Sequence, residues 1–261
     1  MARALFKSWF VDFEPVRAKA EGRDTGLPKN LADLFPDRLM DSELGEIPEG
    51  WNIKRLGALF SLDKGLSYKG EHLDESGVPM VNLGCFLGQG RFQPDAVEGY
   101  SGEVQPRHAV REGDLVLANT DITQKREVIG SPGLVPPTRD GGAVIFTHHV
   151  FAARFYEGLE HWKPFVFQAL LREEFRERAA GFATGTTVLA LPRDAVLDFR
   201  MAVPPIKILD AYTATAHQCV RRQWVGRAES RTLAALRDTL LPKVISGEVR
   251  VRDTDRIMET V

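Results

Sequence analysis

The amino-acid sequence predicts an α+β protein, a globular mixed α/β domain joined to long helices of coiled-coil type. Three observations predict it. Short β-type runs punctuated by Gly and Pro fill the middle of the chain, the stretch from Ile206 to Leu241 has no Pro and a single Gly, and an apolar segment of helical spacing opens the sequence.

The opening segment is ALFKSWFVDF, residues 4–13. Phe6, Phe10 and Phe13 fall at i, i+4, i+7, with Leu5 and Trp9 beside them, so a helix here is apolar around much of its circumference. Such a short helix is marginal alone, because nucleation fixes several residues before many hydrogen bonds form. It requires partners. Residues 20–50, rich in Gly, Pro and acidic side chains, hold neither helical nor strand period and are expected to be a linker wrapped over a surface.

From Trp51 to about Arg200 the runs VPMVNLG (78–84), GDLVLAN (113–119), EVIGSPGLV (127–135) and AVIFTHHVFAARF (143–155) predict strands with turns between them. One helix stands out in this set. Trp162, Phe165, Val166, Ala169 and Leu170 follow the i, i+3, i+4, i+7, i+8 template up to the charged REEFRER.

The character changes at Val203-Pro204-Pro205, where Pro205 suits the first turn of a helix. Leu209, Tyr212, Ala216 and Cys219, then Leu233, Leu236 and Leu240, keep a 3/4 spacing. At 1.5 Å per residue, the helix from 206 to 241 would be about 54 Å long, more than the core of one domain needs. The expected organisation is a helix end over 1–19, the linker over 20–50, a globular domain over 51–202, the long helix over 203–246 and a tail over 247–261.

Residues 4–18 align with residues 235–249. Ala4 and Leu5 meet Ala235 and Leu236, Trp9 and Phe10 meet Leu240 and Leu241, and Phe13 meets Val244. Either short apolar helix ends resemble one another by chance, or the chain is one period of a cyclic two-fold arrangement.

Composition excludes several classes. No apolar run reaches the ~18 residues of a membrane span, and the N-terminus lacks a signal-peptide pattern, so a cytoplasmic protein is expected. Cys85 and Cys219 are the only cysteines and form no CxxC, which indicates neither a disulfide framework nor a zinc site. Both are expected to be reduced, buried hydrophobes. With 34 Lys plus Arg against 36 Asp plus Glu, net charge does not announce nucleic-acid binding, so any phosphate contact must be local.

Four stretches together resemble a known family: SWFVDFEPVRAKAEG (8–22), DSELGEIPEGW (41–51), GFATGTTVLALP (181–192) followed by VPP (203–205), and LRDTLLPKVISGEVRV (236–251). They resemble the specificity subunit of type I restriction-modification enzymes, over nearly the whole chain and in the expected order. The resemblance implies a target recognition domain, here about 51–200, that reads one half of a bipartite double-stranded DNA site. It also implies conserved helices that form an antiparallel coiled-coil spacer and dock methyltransferase subunits, through which the nuclease-translocase subunit is recruited. The family's usual chain has two recognition domains. This one departs in having one, and so looks like a half-subunit or a C-terminal half.

The residues themselves predict no catalysis. No GxxxxGK[ST] loop is present, nor anything like the Asn/Asp-Pro-Pro-aromatic tetrad of an adenine methyltransferase. The resemblance assigns S-adenosylmethionine, ATP and Mg to partner subunits, and no metal site is expected. Pro94-Asp95 with Glu98 is read as a surface turn. His148-His149, alternating on a strand, should give one packed and one exposed ring.

DNA contact requires cations for phosphates and amides, hydroxyls or Arg for base edges, on loops beside strands. Two stretches are dense in them: LDKGLSYKG (62–70), with Lys64, Ser67, Tyr68 and Lys69, and ANTDITQKREV (118–128), with Asn119, Thr120, Thr123, Gln124, Lys125 and Arg126. Solvated hairpin loops are the competing account for each. In ATGTTV (183–188) Thr186 and Thr187 are further DNA candidates, against a structural account in which hydroxyls close a turn and Gly185 supplies an unusual backbone angle. The partner-helix candidates are Leu5, Trp9, Phe10, Leu209, Tyr212, Ala216, Leu233, Leu236 and Leu240, and a homodimer through the long helices is expected. The alternative function is a coiled-coil scaffold module that no longer reads DNA.

Overall fold

In a computed structural model, residues 1–88, 91–93, 96–123, 125–138 and 142–248 are described. Two compact units are distinguished, Met1–His217 and a second beginning at Gln218. The division falls inside the long helix rather than at the double Pro, because residues 206–217 carry buried side chains of the first unit.

Two four-stranded sheets build the middle of the first unit. One has the order Pro132–Leu134, Leu115–Ala118, Val150–Phe155, Phe60–Lys64, antiparallel throughout. The other has the order Glu98–Tyr100, Leu73–Val81, Val144–Phe146, Ala109–Val110, with Val144–Phe146 parallel to Leu73–Val81 and the remaining pairs antiparallel. Val81, Val110, Val144 and Phe146 from one sheet pack with Val116, Ala118, Val150 and Ala152 from the other in one apolar cluster. Each strand-forming run of the sequence contributes a strand to these sheets, but EVIGSPGLV (127–135) does so only over Pro132–Leu134. The run 143–155 is two strands, one in each sheet, split at His148-His149.

Cys85 lies in this cluster, where burial pushes its thiol up to about 11. Cys219 is half-exposed, which corrects the expectation that both cysteines are core. The helix expected around Trp162–Leu170 is Lys163–Leu170, and REEFRER begins a separate helix, Glu173–Phe182. Arg172 between them is extended and ends the first.

The N-terminal helix, Ala2–Phe10, finds its partners within its own unit. Phe10 meets Phe165, Tyr212 and Trp51 at ring-centroid distances of 5.0, 5.0 and 5.8 Å, and Trp9 meets Phe35 at 5.3 Å. Edge-on pairs of this kind add to the area they bury. Trp9, Phe10, Leu209, Tyr212 and Ala216 are thus core residues, which corrects their assignment to a partner helix. The seam they were placed on exists, but this chain fills it with its own aromatic rings. Residues 20–50 are also more than a linker. They include the helix Lys29–Ala32 and the ladder of Leu39–Met40 with Ile47–Pro48, and Phe35 and Ile47 are buried.

The last helix, Ile206–Ile245, has 40 residues, about 60 Å at 1.5 Å each. It continues through Pro242 and stops before Gly247, whose positive φ of 78° suits a residue just past a helix end. From residue 218 onward its side chains are exposed or half-exposed, including Val225, Leu233, Leu241 and Ile245. Among the described residues no helix is long and apolar enough to cross a membrane.

Candidate nucleic-acid interface

Four polar segments meet at one end of the two sheets, and backbone hydrogen bonds define the meeting. Strand Phe60–Lys64 runs on into Gly65 and Leu66, where Leu66 N–H donates to Phe146 O and His148 N–H donates to Leu66 O. The turn at His148-His149 in turn accepts from Asn119, whose N–H bonds His149 O and whose Nδ2 bonds His148 O at 3.1 Å. Thr120 and Asp121 then pair with Ala190 and Leu189. That ladder draws the 183–188 loop to the same edge. Gly65 is required for the first crossing, since a Cβ there would stand 2.2 Å from Phe146 O.

The candidates of segments 62–70, 118–128 and 183–188 are thereby brought together, yet they divide by exposure. Lys64, Ser67 and Lys69 are exposed and Tyr68 is half-buried. Lys69 is 3.6 Å from Glu71, whereas Lys64 has no ion-pair partner among the described residues. Burial, and then Glu98, holds the Tyr68 phenol above its ordinary value, so it remains a hydroxyl donor at neutral pH. Lys125 is exposed and has no ion-pair partner among the described residues. Gln124 and the Pro94-Asp95 pair lie outside the described residues.

Asn119 and Thr120 are corrected. They are 3% and 7% exposed and belong to the end of the sheet, so their polar atoms tie the turn in place and are not offered to solvent. Thr120 Oγ1 lies 2.9 Å from His149 Nδ1. Thr123 is exposed, but its hydroxyl donates to Asp121 Oδ1 at 2.6 Å. Arg126, in the left-handed region at φ 56°, donates from Nη1 to Ala180 O at 2.8 Å, which leaves part of its guanidinium committed to the chain.

Asp121 is the staple of this loop. Its side chain is fully buried, and its carboxylate accepts from Thr123 N–H, Thr123 Oγ1, Val128 N–H and Ile129 N–H at 2.6–3.3 Å. Burial by itself would raise its pKa, but these donors outweigh burial and hold it below the ordinary value. A charged staple of this kind restricts the loop before any ligand arrives.

The 183–188 loop is a small hairpin, with Thr184 and Ala190 exchanging two backbone hydrogen bonds. Gly185 adopts φ 121°, and a Cβ there would meet Val188 O at 2.2 Å, so the structural account of this glycine holds. Thr186 and Thr187 stand exposed beside it.

Two features escaped the sequence. His148 and His149 sit in a turn rather than on a strand, so their rings share one side, 3.8 Å apart at 41°. This corrects the expectation of opposite faces. Ile122 and Val188, 63% and 42% exposed, are the chain neighbours of the paired Asp121 and Leu189 and add apolar side chains to the polar loops.

The first unit is a two-sheet body that presents loops from several strands at one edge. Its relatives belong to one class of protein. No family model matches the chain. Among curated relatives, it is 23% identical over 261 residues to the type I restriction enzyme MjaIX specificity subunit of Methanocaldococcus jannaschii, covering 97% of this chain and 53% of that one. It is 21% identical over 297 residues to the HindI specificity subunit of Haemophilus influenzae, covering 95% and 61% respectively. The chain thus spans between half and two thirds of the length of these relatives. Its fold is similar to the crystal structure of a type I restriction-modification S subunit from M. genitalium, with a TM-score of 0.53 at 17% identity over 76% of this chain and 46% of that one. The chain is thus similar in sequence to type I restriction enzyme specificity subunits, and similar in fold to one of them.

Proposed function

We propose that this chain is the sequence-specific DNA-recognition subunit of a type I restriction-modification complex. It reads one half of a bipartite site in double-stranded DNA and docks methyltransferase subunits, which bring in the nuclease-translocase subunit. It holds no cofactor of its own and is not catalytic by itself. S-adenosylmethionine, ATP and Mg are bound by the partners, in the cytoplasm. The observation that carries this reading is the convergence of segments 62–70, 118–128 and 183–191 on the His148-His149 turn. Their exposed cations Lys64, Lys125 and Arg126 suit phosphates, and their hydroxyl and apolar tips suit base edges and thymine methyl groups.

Two copies pair through antiparallel long helices, supported by the exposed or half-exposed stripe of Leu233, Leu236 and Leu240. A pair related by a two-fold axis carries two identical readers in inverted orientation, so its target is an interrupted palindrome.

The deciding experiment is methylome sequencing of a host that expresses this chain as the sole specificity polypeptide with its methyltransferase subunit. Methylation at an interrupted palindrome is expected. An asymmetric bipartite site would mean that a second, different recognition domain is at work. Methyl transfer by the purified chain alone would overturn the non-catalytic assignment.

A further inference from the structure

The turn at His148-His149 lies where the other three segments converge, yet the proposed function gives it no task beyond a scaffold. Its side chains are unusually placed for that. Tyr100, Tyr68, His148 and His149 form a row of rings, with successive centroid separations of 6.2, 6.5 and 3.8 Å. His148 and His149 are both half-buried, so one side of the pair remains open.

The groups facing the pair are cations and neutral donors. Strand Phe60–Lys64 contributes Lys64, which acts on His149. The segment after it contributes Tyr68, which is itself under the influence of Glu98. Strand Thr120–Asp121 contributes the Thr120 hydroxyl, while the Asp121 carboxylate is engaged by its own loop. Among the described residues, the histidines with a carboxylate within ion-pair distance are His72 and His161, and neither His148 nor His149 has one. Thr147 Oγ1 and His148 Nδ1 are buried without a hydrogen-bond partner there. A positive charge on His149 would stand 3.8 Å from the His148 ring and beside the Lys64 ammonium, with no carboxylate to offset it among the described residues. Burial first, then His148 and Lys64, hold His149 below its ordinary value.

An arrangement with two or three potential positive charges, an open side and no anion of its own is completed by an anion from outside. At the edge of a DNA reader that anion is a backbone phosphate. Resting on the proposed function above, we propose that His148, His149 and Lys64 form a phosphate-binding element of the DNA interface, whose charge is completed by a proton taken from solvent as DNA binds. The pair is therefore a positioning element, and it carries no sequence information of its own.

The test uses the full chain assembled with its methyltransferase subunit, and two labelled duplexes, one with the methylated site and one without. Affinity is measured from pH 6 to 8.5 at constant ionic strength. Uptake of one proton makes the association constant rise by up to about tenfold for each unit that pH falls, between the titration points of the free and bound pair. His149→Asn keeps a hydrogen-bond partner for Thr120 but cannot titrate, so it should flatten this slope and weaken both duplexes alike. Lys64→Ala should weaken both duplexes and lower the salt slope by about 1. The His149 imidazole resonances of the parent should titrate below the ordinary histidine range in the free protein and move upward on binding, a readout that needs no variant.

A pH slope unchanged in His149→Asn, or no upward movement of the imidazoles, overturns the proposal. So does a loss confined to the methylated-site duplex, which would mean base reading, or binding that requires added zinc, which would mean a metal site. If the parent assembly binds neither duplex at any pH, the DNA-recognition reading itself fails and the inference falls with it.

Discussion

The same helix-end pattern is written twice in this chain, and the two copies have opposite fates. In residues 4–13, Phe6, Trp9, Phe10 and Phe13 are 4%, 3%, 3% and 8% exposed. At the aligned positions 237, 240, 241 and 244 stand Arg237, Leu240, Leu241 and Val244, all exposed or half-exposed, with Leu241 at 51%. The backbone differs as well. The first copy ends its helix at Phe10 and puts Phe13 in the left-handed region, while the second stays helical through Pro242 to Ile245. Each copy carries a proline, Pro15 in the first turn of the next helix, where it is tolerated, and Pro242 inside the helix, where local propensity would put a break. Packing decides instead, since Phe13 turns its ring onto Trp51 at 5.5 Å. A bare helix end has no such partner to turn toward, and so tolerates one missing hydrogen bond.

The largest expected effect comes from exchanging these fates. Phe10→Ala should cost about 3–5 kcal/mol of folding free energy, because the ring is buried among five other aromatic residues. Leu241→Ala should change it by less than about 0.5 kcal/mol. Urea denaturation of both variants checks the contrast, and similar midpoints would dissolve it.

The second copy should instead answer to concentration. Leu233→Ser with Leu240→Ser is expected to leave the thermal midpoint of the monomer in place and raise the dissociation constant of a dimer about 10- to 100-fold, or on the order of 1.4–2.8 kcal/mol. Sedimentation equilibrium reads it directly. A parent that stays monomeric at every concentration would show that the stripe is covered by a different polypeptide.

Within the first unit, Asp121 tests how far the chain completes its own recognition loop. Asp121→Ala leaves the Ile129 donor, which is buried, and the Thr123 and Val128 donors, which are partly buried, unpaired and should cost about 1–3 kcal/mol. The sign with pH follows from the carboxyl being held below its ordinary value in the folded state. Its contribution is fully present above about pH 4, the range of an unfolded aspartate, and is lost as pH falls through the lower folded value. Acid denaturation of the variant should therefore lose part of the steepness seen in the parent.

Period-2 runs and Gly/Pro punctuation made the strands legible, and a Pro-free 3/4 spacing made the long helix legible. The distribution of side chains over neighbouring elements was not. His148 and His149 read as two positions of one strand, because AVIFTHHVFAARF has no Gly or Pro to mark a turn. The turn is enforced by the crossing of Gly65 and Leu66 over residues 146–148, a contact between distant stretches of chain. Asn119 and Thr120 have the chemistry of base readers, and only the ladder to Leu189–Ala190 shows that it is spent inside the protein. Trp9 and Phe10 announced that they needed a partner, but nothing in their spacing says whether Tyr212 and Phe165 of the same chain or a second copy supplies it.

The smallest effect concerns a side chain that the fold leaves unused. Lys125 is exposed on the loop that Asp121 staples, without an ion-pair partner among the described residues, whereas its neighbour Arg126 spends one hydrogen bond on Ala180 O. Lys125→Ala should then leave folding unchanged, weaken cognate and non-cognate DNA alike, and lower the slope of log affinity against log salt by about 1. Arg126→Ala should do less to the salt slope but lower stability, since it also unties the loop from the end of helix Glu173–Phe182. If both variants bind DNA with the parent's affinity and salt slope in the assembled complex, the 118–128 loop does not touch the duplex. Contact would then fall to the His148-His149 turn and the 62–70 segment, which the hydrogen bond from His148 N–H to Leu66 O holds as one piece.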